Sequence, residues 1–356
     1  QTMQKKWYSV IISMALFLLA TYPQNVLAQG TESPFDFTAI TENRSGEGWI
    51  WDADAKTLSL DGFSYQSDQE YERFMTLPAG SRIILANGSI NEIDLLAHYT
   101  IYGEGELTIA GDGTLKIQNR AADLREADAA IIAEGKVAVE DVQLQITGGN
   151  GGIIADQVEA GGIRLYNSDL RFHNVSMALA ANADIAMQNC QLETRKADIG
   201  LLAMGGLQML DSQIDIEANV NGIFANGISA KRTTIDIIIN MDMGGTALES
   251  IGSYVPNVVQ PPILIEDGKL SIESMGNGII SQFGSLLQVK NSEVDVRAND
   301  VALEIWSKGQ GDASEIELSG SRIIAEGKMG VLIFRPQDQD NDRPVVTDDA
   351  IITGKT

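Results

Sequence analysis

The chain has one cysteine, two histidines, few aromatic residues and few cations, and each shortage removes a class of reading. With Cys190 alone no internal disulfide can form, so the fold must rest on its own buried core. His98 and His173 are too few for a metal-binding histidine cluster, and no Ser-His-Asp arrangement is supported. Lys and Arg total 25 against 49 Asp and Glu, a formal net charge of −24. Phosphate recognition needs a basic surface, so nucleic acid is not an expected partner. Aromatics make up only 6% of residues, which points to a narrow interior filled by Ile, Leu, Val and Ala.

The first residues read as a targeting segment. Lys5 and Lys6 precede an apolar run from Val10 to Ala20, and Val26-Leu27-Ala28 forms a small-residue cleavage site before Gln29. The run is too short to span a bilayer comfortably. Residues 1–28 are therefore expected to be a signal peptide, giving a secreted or cell-surface protein with no membrane span in the mature chain. Removing the two lysines with the leader takes the charge from −24 to −26. Met3 is the plausible start, and the chain reads as truncated at both ends.

What the sequence does contain is a ten-residue pattern, apolar-x-apolar, a polar corner, then apolar-x-apolar. It occurs eight times: Val137–Ile146, Ile163–Phe172, Ile185–Thr194, Leu207–Ile216, Ile228–Ile237, Ile263–Ile272, Leu287–Val296 and Ile316–Ala325. Of the 32 flanking positions only Thr194 is polar, which excludes chance alternation. Period-two alternation marks a strand with one buried face. Strands of three residues bury too little alone, so the copies must stack on one another. A further short strand precedes four of the pairs: Ile153-Ile154-Ala155, Leu201-Leu202-Ala203, Ile223-Phe224-Ala225 and Ile279-Ile280-Ser281. Each follows a glycine (Gly152, Gly200, Gly222 and Gly278). Three strands repeating about every 22 residues predict an all-β, single-chain parallel β-helix, right-handed by analogy with parallel β connections. Helical repeats need a 3.6-residue period between strands, and there is no room for one.

The corner between the second and third strands carries Asp141, Asn167, Asn189, Asp211, Asp267 and Asn291. Asn and Asp tolerate left-handed backbone, so a sharp bend is expected there. The next residue is usually small (Ser168, Ser212, Thr233, Gly268, Ser292, Ser321), and Cys190 holds the same place, which reads as a buried structural thiol.

Around this repeat the chain divides into an N-terminal β-rich cap with irregular coils over 29–100, the β-helix over 101–335, and a polar tail over 336–356. Four interruptions are expected: a turn or two of helix at Ala121 to Asp128, a proline-bearing loop from Gly252 to Pro262, an excursion from Ser307 to Ser314, and a loose run from Pro336 to Arg343. Val345 to Ile352 reads as the start of a further strand.

Gly48-Trp49-Ile50-Trp51-Asp52, Thr57-Leu58-Ser59-Leu60-Asp61-Gly62, Leu77-Pro78-Ala79-Gly80-Ser81 and Gly105-Glu106-Leu107-Thr108-Ile109-Ala110-Gly111 resemble a family of secreted bacterial β-helix proteins commonly labelled carbohydrate-binding domain-containing. The resemblance covers residues 46–335 in organisation, with its distinctive motifs in the first 70 of those. It implies non-catalytic binding of a surface polysaccharide. No site motif of that family carries over to this chain, which also has few Tyr or Trp in its rungs.

Candidate ligand-binding residues are Trp49 and Trp51, which sit two apart on one face, and Tyr254 and Trp306 at the starts of the inserted loops. A sugar ring could stack on any of them; the plainer reading of the first pair is a hydrophobic lid on the first coil. The triplet centres Glu193, Asp215 and Asp236 should fall on three consecutive rungs, about 5 Å apart. Ca²⁺ would relieve their repulsion, although a solvated acidic face needs no ion, and no other cofactor is expected. The leading expectation is a non-catalytic β-helix binding polysaccharide or a cell-surface glycan. A structural stalk or adhesin segment is the first alternative. A pectate-lyase-like enzyme using Ca²⁺ and a base such as Arg171 is the second. Oligomeric state stays open.

Overall fold

The computed structural model describes residues 33–120, 128–156, 162–241, 244–251, 262–282, 286–306, 316–334, 346–348 and 351–355. Residues 1–32 (the expected signal peptide among them), most of Ala121 to Asp128, Gly252 to Pro261, Ser307 to Ser314 and Pro336 to Arg343 lie outside these residues. The described residues contain no helix; they wind as a β-solenoid of mostly parallel strands, three to a turn. The first face holds Ala129–Ala133, Gly151–Ala155, Met177–Ala181 and their successors. Val137–Glu140, Ile163–Tyr166 and Ile185–Gln188 begin the regular part of the second, and Gln143–Thr147 and Asp169–His173 that of the third. In the regular part each strand pairs in parallel with its counterpart one turn on, as in Val137↔Ile163↔Ile185↔Leu207. Long strands such as Gln191–Ala203 and Gln213–Ala225 bend from the third face into the first, so these two faces share one sheet.

Alternation sets the inside and outside of the second and third faces. Leu192, Ile214, Ile235 and Leu270 stack at the centre, each no more than 2% exposed, while Glu193, Asp215 and Asp236 point outward from the next position. Each such apolar side chain removed from water contributes about 1.5–3 kcal/mol. Thr194 is the exception inside. Fully buried between Phe172 and Ile216, its hydroxyl has no hydrogen-bond partner. Thr194→Val keeps the shape and removes the unpaired group, so it should raise stability by about 1 kcal/mol in urea titrations. A lower midpoint would show that the hydroxyl is satisfied.

The corner from second to third face is left-handed in all eight copies. Asp141, Asn167, Asn189, Asp211, Asp267 and Asn291 have φ between 47 and 60°, Arg232 has φ 47° and Gly320 φ 56°. The side chains cross-link the rungs: Asn167 Nδ2 donates to Asp141 Oδ1 at 3.0 Å, and Asn291 Nδ2 to Asp267 Oδ1 at 3.2 Å. Arg232, the one residue there outside the Asn/Asp/Gly set, reaches back to Asp211 Oδ1 at 2.6 Å.

The small residues one position later form a second, buried ladder. Ser212 Oγ accepts the Cys190 N–H at 3.1 Å and donates to Leu210 O at 2.8 Å; Ser292 and Ser321 repeat both contacts. Cys190, 2% exposed, donates from Sγ to Gln188 O at 3.2 Å, as a serine would. Burial pushes its thiol pKa up, which suits a structural role.

At Gly222 and Gly278, where the third face turns into the first, the chain runs too close to the next rung for any side chain, alanine's methyl included. A Cβ on Gly222 would lie 2.5 Å from Ala247 O, and one on Gly278 2.4 Å from Ala302 O.

Parallel pairing is present well before residue 101, at Phe35–Asp36 with Ser64–Leu77 and at Thr57–Leu60 with Ser81–Leu85, where Leu58 and Leu60 already alternate inward. The N-terminal end is closed by an antiparallel hairpin, Arg44–Gly46 with Trp49–Asp52, whose second strand pairs antiparallel with Thr57–Leu60. A closed end protects the core and its unpaired edge. Beyond residue 335, Val346–Asp348 and Ile351–Lys355 extend the second and third faces, so the ladder enters the stretch read as a polar tail.

Candidate functional site

The acidic column is aligned as its spacing predicts: Glu193↔Asp215↔Asp236 on successive rungs. The sequence reading missed the cation that it holds. Arg195, two residues after Glu193 and so on the same face, places Nη1 2.9 Å from Asp215 Oδ1 and Nη2 2.8 Å from Oδ2, with Glu193 Oε1 3.2 Å away. The guanidinium takes the bridging place considered for Ca²⁺. Among the described residues no three metal-ligating side chains are gathered to hold an ion. Ca²⁺ should therefore shift the melting temperature no more than NaCl at matched ionic strength; a larger, chelator-reversible gain would overturn this. Arg171, the base considered for a lyase, pairs instead with Asp169, at 3.3 Å from Nε and 3.0 Å from Nη2.

The aromatic candidates separate. Trp51 is 1% exposed, packs on Phe37 at a centroid distance of 4.8 Å and donates from Nε1 to Ile40 O. That corrects its reading as a sugar-stacking ring, because neither face is open. Trp49 is half-buried and meets Phe35 and Phe37 edge-on at 5.8 and 5.6 Å, within the same cap. Trp306, at the end of Val301–Trp306, donates from Nε1 to Glu304 Oε1 at 2.7 Å. Tyr254 lies outside the described residues.

His98, which the sequence left without a role, is bracketed by carboxylates from neighbouring rungs. Its Nδ1 is 2.7 Å from buried Asp128 and its Nε2 3.2 Å from Glu70. The solenoid brings together residues 28 and 30 positions apart.

The outer side of the first face is unlike the other two. Its outward column reads Tyr102, Ile132, Ile154, Ala180, Leu202 and Phe224, all buried and in mutual contact. Glu249 and Glu304 occupy the same column further on, flanking Ile280, and are 5% and 4% exposed. Glu249 accepts from Gln282 Nε2 and, at 3.4 Å, from Asn221 Nδ2. Burial pushes its carboxyl up to about 7, against these donors, with the charge of Glu304 adding to the rise. Glu304 is raised by burial too, opposed by the Trp306 indole.

A groove of about 440 Å³ lies where the third face turns into the first. It spans the rungs of Thr234–Ile239, Lys269–Ser274, Glu293–Ala298 and Arg322–Glu326, about 14 Å along the solenoid. Ile238 and Met275 stand in it 43% exposed, Asn240 and Asn299 line the corner, and Glu273, Arg297 and Glu326 form the outward column. Exposed apolar side chains beside amides and charges can take a ligand with one apolar face and several hydroxyls.

A comparison of the chain with protein-family models, with curated proteins and with solved structures finds no match in any of the three.

Proposed function

We propose that the protein is a secreted, non-catalytic β-solenoid that binds polysaccharide or a cell-surface glycan, and that the groove between the third and first faces is its binding site. The observation that carries this reading is the groove's mixed lining. Ile238 and Met275 offer apolar contact for the C–H face of a sugar ring, and Asn240 and Asn299 offer amide donors and acceptors for its hydroxyls. The site stretches along the axis over four rungs, the shape an extended polymer needs. The lyase-like alternative has less support, since Arg171 and Arg195 are both tied to carboxylates.

The full chain on a glycan array should bind a restricted set of polysaccharides. Ile238→Ala with Met275→Ala should weaken that binding by about tenfold, roughly 1.4 kcal/mol, while leaving the melting temperature nearly unchanged. A blank array would return the protein to the stalk or adhesin reading. Unsaturated products from uronans, followed by absorbance, would instead make it an enzyme.

A further inference from the structure

We propose that the second face carries a binding site of its own, separate from the groove, for an extended oligosaccharide of uronic acids. Its centre is Arg164 with Tyr166, which project outward from Ile163–Tyr166 while Ile163 and Leu165 point in. Tyr166 is 45% exposed, and among the described residues no other aromatic side chain is so open. Neither its hydroxyl nor the Arg164 guanidinium meets a hydrogen-bonding or ionic partner. That sets Arg164 apart from Arg120, Arg171, Arg195, Arg232 and Arg297, each held by a carboxylate. Three rungs earlier in the same outward column stands Arg82, also exposed and unpaired, about 14 Å away along the axis. The floor between the two arginines is Thr108 and Ala138, which leave room above them for sugar rings. Gln188, beside Tyr166 on the next rung, offers an amide to ring hydroxyls.

Charge decides the class of sugar. The central column of this face carries no carboxylate from Thr57 to Gln288, whereas that of the third face carries Glu193, Asp215, Asp236 and Asp295. The second-face strands from Ser81–Leu85 to Ile163–Tyr166 hold Arg82 and Arg164 against Glu140 alone. Beside them Lys136 and Glu106 offset each other at 3.5 Å. The patch is therefore positive on a chain whose total is −24. A guanidinium takes a carboxylate through two parallel hydrogen bonds, and an open tyrosine gives a sugar ring an apolar face to lie on. Because a uronan repeats its carboxylate along the chain, it can meet both arginines at once.

Titration calorimetry of the full chain with mannuronic acid oligomers and their methyl esters tests this, at low ionic strength, where exposed charges are least screened. The ester keeps the ring and removes the charge. The acid form should bind about tenfold tighter than the ester, and Arg82→Gln with Arg164→Gln should erase that difference. Tyr166→Ala should weaken both forms about fivefold. Ile238→Ala with Met275→Ala, in the groove, should leave binding of the acid form unchanged, as should Arg322→Gln, an exposed arginine on the third face. All of these side chains are exposed, so melting temperatures should stay level. Equal affinity for acid and ester, or no binding of the acid, overturns the inference and leaves the groove reading to the array. Loss of the preference in Arg322→Gln as well overturns it in favour of diffuse attraction, and loss in the groove pair moves the uronan to the groove. Equal binding of an oligoglutamate overturns the choice of a sugar. Self-association of the wild type that the double arginine change abolishes, followed by sedimentation, would give the face to a second copy instead.

Discussion

Ile214→Asp should cost at least about 4 kcal/mol and Asp215→Asn, one residue on, no more than about 1 kcal/mol. Ile214 is fully buried between Leu192 and Ile235, so an aspartate there sits in the narrow interior with no cation to pair and a hole where the methyl groups were. In a stacked array each rung is held mainly by its two neighbours, so the damage falls on both interfaces and divides the solenoid. Asp215 faces outward and loses only a half-exposed pair with Arg195, side chains 39% and 35% exposed. Its effect is therefore a mild loss, where a bare acidic column would have given none or a slight gain. Urea unfolding followed by circular dichroism measures both. Equal damage from the two substitutions would mean that the inside and outside of the third face are assigned the wrong way round.

That contrast marks what the sequence discloses. Strand, turn and register are set locally, by period-two alternation and by the demand for positive φ at one corner, so Asp141, Asn167 and their successors announce the bend at every copy. Cys190 is legible for the same reason, since it stands in a column of serines whose hydroxyl contacts a thiol imitates. Arg195 was within reach as well. It lies two residues after Glu193 on a strand, which puts the two side chains on one face.

Less of the candidate site could be read. The triplets Ile153-Ile154-Ala155 and Leu201-Leu202-Ala203 have apolar centres, although a centre should face water. That breach of the alternation rule is the signal that the outer side of the first face is buried, and hence that Glu249 and Glu304 in the same column are buried acids. The groove gives no such signal. It arises where residues such as Asn240, Met275 and Asn299, each harmless in its own copy, are stacked by the pitch of the solenoid. His98 and Asp128 meet in the same way, through stacking across 30 positions.

Stability should fall as pH rises from about 4.5 to about 7, and Glu249→Gln should abolish most of that fall. In the unfolded chain the carboxyl ionises near 4.5, whereas in the folded protein burial holds it neutral up to about 7. Between those values the folded state binds one more proton than the unfolded state, so each pH unit removes about 1.4 kcal/mol of stability, for a total of about 3 kcal/mol. The contribution is fully present below about 4.5 and lost above about 7. The groups facing Glu249 agree with this sign: Gln282 and Asn221 donate to it without supplying charge, and Glu304, across Ile280, adds only repulsion. A glutamine is neutral at every pH, and the Gln282 amide can turn to meet it. Glu249→Gln should match the wild type near pH 4.5 and exceed it by about 2–3 kcal/mol at pH 8. Self-repulsion of the remaining acids lowers both proteins alike as pH rises, so the difference between the two curves isolates this one carboxyl. Urea titrations across that range decide it, and parallel curves for the two proteins would show that Glu249 is ionised in the fold or reached by water.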